Sequence, residues 1–253
     1  MKKDMNEPIL PIATPVSPSA PLITVAPVIL SDESETSIRQ SFISKVYSII
    51  WLQLVFTSSF IGVCNQVKPV SDFMISQNGH ALTTISMIGI FIMIIILFCG
   101  SSLLKGPCAC IYTSIFTILM TYIIGVLGVF YSTRTLLLGG LSTVGIFSGL
   151  TIYAWQTKYD YTQYGNCLLI ALLGLIIFGM FSVFIPGNIV QIVYSSSGAV
   201  IFSFYIVYDT QLIIGGNNHR IQYSHDDYAL AAINLYLDII NLFISMLDII
   251  DRR

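Results

Sequence analysis

The chain has 253 residues, of which 55% are hydrophobic and 9% charged, with a formal net charge of -2 and a mean hydropathy of +0.82. This composition excludes an ordinary soluble domain and makes the chain an integral membrane protein whose first partner is the lipid bilayer. No basic patch stands out and the pI is near 5.8, so nucleic acid is not an expected partner.

Residues 1–36 hold six of the nine prolines, at positions 8, 11, 15, 18, 21 and 27, with no apolar periodicity. They read as a disordered, Pro-rich cytosolic tail able to dock protein partners, ahead of a transmembrane domain over 37–253. Lys2 and Lys3 lead into prolines rather than into an apolar run, so the start does not read as a signal peptide.

Seven apolar segments follow, near 43–64, 82–104, 110–131, 135–155, 167–185, 189–214 and 228–250. Each has the roughly twenty residues that a helix needs to cross ~30 Å of hydrocarbon. Connections are expected at Pro69, Lys105-Gly106-Pro107, Ser132-Thr133-Arg134, Gln156 to Asn166, Pro186-Gly187-Asn188 and Gly215 to Asp227. The predicted fold is an all-α membrane protein of seven antiparallel transmembrane helices, with the last helix central. Lys2, Lys3, Arg39, Lys45, Lys105, Lys158 and Arg220 fall on the N-terminal side, against Lys68, Arg134, Arg252 and Arg253 opposite. Seven against four favours a cytosolic N-terminus. A re-entrant last segment would raise the bias to nine against two, and segment length decides for a full crossing.

The five cysteines, Cys64, Cys99, Cys108, Cys110 and Cys167, show neither disulfide nor zinc spacing, and His80, His219 and His225 are scattered in loops. No cofactor is expected. Small residues in Ser195-Ser196-Ser197-Gly198-Ala199 and at Ala229, Ala231 and Ala232 predict a close contact between the last two helices. Ser224-His225-Asp226-Asp227 has capping-box form and places the start of the last helix near His225.

That last segment carries Asn234, Asp238, Asn241, Ser245 and Asp248, spaced by four, three, four and three. On a helix these form one polar stripe, which must face protein or water. Asp238 near mid-bilayer would cost ~3 kcal/mol or more if ionised and unpaired, and the available partner is Asp209 one helix earlier. Counted from the shared loop, the two differ by ~7 Å in depth on level helices, a gap that tilt or stagger must absorb. Tyr205, one turn before Asp209, is placed to donate a hydrogen bond. Asp248, close to Asp251, Arg252 and Arg253, is expected in a surface ion pair, and Asp160 and Lys158 in a solvated loop.

Tyr208-Asp209-Thr210-Gln211-Leu212-Ile213-Ile214-Gly215-Gly216, with His219-Arg220, Asp227-Tyr228 and Ala231-Ala232-Ile233-Asn234-Leu235-Tyr236-Leu237-Asp238-Ile239-Ile240-Asn241, closely resembles the C-terminal signature of the Bax-inhibitor family. The lifeguard and Golgi anti-apoptotic branch is the nearest. Arg39-Gln40-Ser41-Phe42, Lys45-Val46-Tyr47 and Gln53 resemble that branch's first helix, and Gln156-Thr157-Lys158-Tyr159-Asp160-Tyr161-Thr162 its fourth connection. The resemblance implies a seven-helix protein that suppresses cell death and permits a pH-sensitive calcium leak, with Asp209 and Asp238 as paired aspartates that share a proton and latch the pore. The chain departs from the family pattern in having only Lys105 after the second segment and no acid between Phe116 and Gly125. The family's compartments, Golgi, endoplasmic reticulum and endosome ahead of the plasma membrane, are not separated by any KDEL-like ending.

Two carboxyls in contact in a low dielectric cannot both ionise cheaply, so they share one proton. Losing it leaves two like charges that drive the helices apart or recruit a hard cation such as Ca2+, with Asp209 and Asp238 as transient ligands and Asn234, Asn241, Ser245 and Tyr205 as supporting polar groups. The alternative function is a membrane scaffold that regulates cell death through partners without conducting ions. An enzyme is not expected: no nucleophile and base stand at usable spacing within the membrane, and Gly-x-x-x-Asp or His-Glu-x-x-His protease patterns are missing from the segments.

Overall fold

The computed structural model describes residues 32–99, 107–185, 187–215 and 221–252. Among them lie eight α-helices: α1 (Asp32–Gln66), α2 (Lys68–Ile75), α3 (Gln77–Cys99), α4 (Pro107–Phe130), α5 (Thr133–Gln156), α6 (Gly165–Ser182), α7 (Asn188–Ile214) and α8 (Tyr228–Asp251). A 3₁₀ turn at Tyr161–Tyr164 precedes α6, and no strand occurs among the described residues. All but α2 are long and apolar enough to cross a bilayer, which gives seven candidate spans. Of the expected tail, residues 1–31 lie outside the described residues, and Asp32 to Thr36 form the start of α1.

Pro69, expected in a connection, instead sits in the first turn of α2. A proline there needs no N–H and brings a helical φ with it, so it starts a short helix rather than ending one. Ser132 caps α5 as its position suggested, its hydroxyl accepting from the Thr135 amide at 3.1 Å. Asp160 does not stay in a free loop. It caps the 3₁₀ turn, accepting from the Thr162 amide at 3.0 Å. The Ser224 capping box does not form. Ser224 accepts instead through its carbonyl from the Asp227 amide at 3.0 Å, and α8 begins three residues later than expected, at Tyr228.

The last helix is central, as expected. Of its span 61% is buried, against 6% for the span containing α6. It packs against α1, α4, α5 and α7. One face contributes Ala229, Ala232, Leu235, Ile239 and Leu242 to a core shared with Phe42, Val46 and Ile50 of α1 and Ile206 and Ile213 of α7. Ile233, Tyr236 and Ile240 join a second core with Ile61 of α1, Ile90 and Met93 of α3, and Phe116 and Ile124 of α4. The outward side chains are apolar in turn, for example Leu141 at 70% exposure and Ile170 at 70%. Water would penalise such a surface, whereas lipid satisfies it.

Interhelical polar contacts join α1, α4 and α8. Gln53 donates to Thr117 Oγ1 at 2.7 Å, while the Thr57 hydroxyl lies 2.8 Å from that of Thr121 and 2.9 Å from that of Tyr236. At the far end of α1, the Asn65 amide donates to the Gly128 and Tyr131 carbonyls at 3.1 and 3.0 Å. Within hydrocarbon, groups of this kind must find partners in the protein.

Candidate functional site

Asp209 lies five residues before the end of α7 and Asp238 ten residues after the start of α8. Their carboxyls nevertheless meet in a side-chain hydrogen bond. The contact requires the two helices to be staggered or inclined, rather than level at their shared loop. Close approach is made possible by small residues. Ala229, Ala231 and Ala232 are fully buried, and a Cβ added at Gly198 would stand 2.9 Å from Ser245 Oγ.

Both aspartates are almost completely buried, Asp209 at 4% exposure and Asp238 at 6%. A hydrogen bond between two carboxyls forms only when one of them carries a proton. Oδ2 of Asp238 is buried with no hydrogen-bond donor other than Asp209 to meet it among the described residues. An acceptor in that position invites a donor or a cation.

Polar and aromatic groups surround the pair. Tyr205 lies near both carboxyls, with its ring against those of Phe202 and Tyr208, but makes no hydrogen bond to either aspartate among the described residues. Asn234, one turn before Asp238, donates through Nδ2 to the Tyr223 hydroxyl at 2.8 Å. The phenol of Tyr223 is held well above the ordinary tyrosine range, first by burial and then by the nearby charge of Asp209. It therefore remains protonated.

The rest of the stripe is more dispersed than the sequence led one to expect. Asn241 donates to the Leu237 carbonyl at 2.8 Å and Ser245 to the Asn241 carbonyl at 2.9 Å, so both turn back on their own helix. Among the described residues Asp248 makes no ion pair with Arg252, and Arg253 lies outside them. Asp248 accepts instead from the Tyr131 hydroxyl at 2.5 Å and from Ser195 Oγ at 3.1 Å, tying the far end of α8 to the α4–α5 connection and to α7. Among the described residues no three His, Cys, Asp or Glu side chains group to hold a metal ion.

Two residues important to the site entered the sequence reading only as members of motifs or of the charge balance, with no role in the site assigned to either. Arg39 of α1 reaches the end of α7, where Nε donates to the Ile214 carbonyl at 2.8 Å and Nη2 to the Leu212 carbonyl at 2.9 Å. Its Nη1 donates to the Tyr223 carbonyl at 2.8 Å, and the Tyr223 amide donates to the Leu212 carbonyl at 3.2 Å. A cation suits the carbonyl end of a helix, where the peptide dipoles leave partial negative charge. Gln211 is the other. It is fully buried, its Oε1 accepting from the Tyr161 amide at 2.7 Å and its Nε2 donating to the Tyr159 carbonyl at 2.9 Å. The available signal was compositional, since a charged or amide side chain in a chain so poor in charge must have a partner.

Known proteins are similar to the chain over most of its length. The chain is 35% identical over 217 residues to Protein LIFEGUARD 4 of Arabidopsis thaliana, covering 84% of this chain and 85% of that protein. It is 29% identical over 223 residues to Protein lifeguard 3 of Homo sapiens, covering 87% and 71%. It is 31% identical over 223 residues to Bax inhibitor 1 of Schizosaccharomyces pombe, covering 86% and 79%. The family described as "Inhibitor of apoptosis-promoting Bax1" matches residues 39–253, which include Arg39, both aspartates and all of the candidate spans but the first three residues of α1's, and the chain therefore belongs to the Bax-inhibitor family.

Proposed function

We propose that the protein is a pH-sensitive calcium leak, latched by Asp209 and Asp238, that modulates calcium stores and restrains cell death. The observation that carries this reading is the buried carboxyl pair on α7 and α8. With the shared proton in place the pair carries a single negative charge and bonds the two helices together. When the proton leaves, two like charges face each other in a low dielectric, and the strain is relieved by separating the helices or by admitting a cation.

The donors suit calcium as cargo. Ca2+ takes carboxylate and carbonyl oxygens in flexible numbers, and Asn234 and Asn241 commit their amide nitrogens to other partners, leaving their oxygens as acceptors. A cell-death role follows from membership of the family. On the Lys and Arg balance, the face holding the α7–α8 connection is cytosolic, and an endomembrane is the expected home.

The test is calcium flux into liposomes containing the purified protein, between roughly pH 6 and 8, for the wild type, Asp209→Asn and Asp238→Asn. The wild-type flux should rise with pH and the dependence should flatten in both variants. If the wild type carries no flux above empty liposomes across that range, conduction is wrong and the protein acts as a scaffold for partners.

A further inference from the structure

We propose that Arg39 is a positioning residue: by clasping the end of α7 to the α7–α8 connection it seats Tyr223 as a cover over the aspartate pair, closing the pair to water from the N-terminal face of the membrane. The inference rests on the aspartate pair as the site, and only its consequence for flux depends on the leak reading.

Three bonds from one guanidinium define the clasp, to carbonyls of Leu212, Ile214 and Tyr223. Leu212 stands three residues beyond Asp209, and Asn234 four residues before Asp238. The bonds of Tyr223, through its amide to Leu212 and through its hydroxyl to Asn234, therefore cross the gap between α7 and α8 about one turn above the carboxyls. Its phenol is close enough to feel the charge of both aspartates. A cover so placed lies between the pair and the loop side of the membrane.

The connection and the first residue of α8 are fixed to α1 at three points, which on α1 lie three residues apart. Arg39 takes Tyr223, Phe42 meets the ring of His225 edge-on at 6.0 Å, and the Lys45 ammonium lies 3.3 Å from the centroid of the Tyr228 ring. Positions spaced in this way share one face of a helix. Gly215 completes the fit. With φ at +59° it adopts a conformation that other residues rarely hold, and a Cβ there would fall 2.0 Å from Arg39 Nη2 and 2.2 Å from Gln222 Oε1. The backbone turns in the one way that leaves room for the guanidinium. A lysine could not reproduce the clasp, because a single ammonium lacks the planar fork of donors.

Among the described residues, the titratable groups facing the pair are Tyr205 and Tyr208 from α7 and Tyr223 from the connection, with Arg39 and Lys45 of α1 and His225 further out on the connection and the start of α8. Of these, Tyr223 is the one whose place depends on Arg39.

The experiment measures labelling of Asp238 and Asp209 in the full-length protein in detergent by a water-soluble carbodiimide with an amine nucleophile, read by peptide mass spectrometry. Exposed Asp72 serves as the internal reference. The pair in the wild type should be protected, and Arg39→Gln and Arg39→Lys should label at least about tenfold faster relative to Asp72. Tyr223→Ala, which removes the cover and keeps the three carbonyls that Arg39 holds, should do the same and decides the matter if the arginine variants fail to fold. Equal labelling of wild type and folded variants, or a wild-type pair labelled as fast as Asp72, overturns the proposal. Flux on the same samples separates the two ideas. Faster labelling with no flux in any sample keeps the cover and discards the leak, whereas pH-dependent flux with unchanged labelling keeps the leak and discards the cover.

Discussion

Gly215 shows how much of this site depends on single residues. Its φ of +59° with ψ of -154° lies in a region open essentially to glycine alone, where another residue would cost roughly 1–3 kcal/mol, and its missing side chain leaves the space that Arg39 occupies. Gly215→Ala should therefore lose both the backbone geometry and part of the three-way clasp. We expect at least about 2 kcal/mol of destabilisation, a fall of roughly 4–8 °C in melting temperature for a chain of this size, measured by thermal unfolding in detergent. A melting temperature within a degree of wild type would mean that the clasp contributes little. The carboxyl pair was legible from the four-three-four-three spacing and from the presence of another aspartate within an apolar segment. Arg39 was not, because its acceptors lie more than 170 residues away and are backbone carbonyls, which carry no sequence signature. Asp248 was misplaced for a related reason. Nearness in sequence to Arg252 and Arg253 pointed to an ion pair, while the fold brought up Tyr131 and Ser195.

At the scale of elements, the packing of α8 explains why glycines in this protein have unequal consequences. Gly198 faces α8, where a larger side chain would drive into Ser245. Gly174, on α6, has nothing within 4 Å of the position its Cβ would take and belongs to the helix with the least buried span. Gly198→Leu should overpack the α7–α8 contact and cost roughly 1–3 kcal/mol, while Gly174→Leu should melt like the wild type, its new side chain meeting only lipid. Equal melting temperatures for the two variants would count against α8 as the packed centre. Seven spanning segments could be read from length and hydropathy, because a bilayer imposes both on every crossing helix. The short α2 could not, since eight residues beginning Lys68-Pro69 lack the apolar run that marks a span and proline reads first as a break. Nor could the start of α8 be fixed from the capping box. Ser224 spends its carbonyl on a turn, and the pinning of Tyr223 to Leu212 and Arg39 holds the backbone before it out of helix.

For the whole molecule, the path of α8 decides where the two ends of the chain lie. The Lys and Arg balance alone slightly favours a last segment that dips into the membrane and returns, and physical chemistry argues against it. The helix is unbroken from Tyr228 to Asp251, about 36 Å at 1.5 Å per residue, which exceeds the ~30 Å of hydrocarbon. A turn at mid-depth would leave several backbone N–H and C=O groups without partners, at a cost of several kcal/mol each. It would also separate Asp238, bound to α7 near one face, from Asp248, bound to Tyr131 and Ser195 toward the other. The central helix is thus anchored to its neighbours at both ends, and seven crossings put the start of α1 and the end of α8 on opposite faces. Small epitope tags at the two ends, tested by antibody or protease access after selective permeabilisation of the plasma membrane, should find the N-terminal tag reached and the C-terminal tag protected until the inner membrane is opened. If both tags are reached together, α8 does not cross. In that case the charge balance governs topology, and the anchoring of Asp248 to Tyr131 would have to be given up.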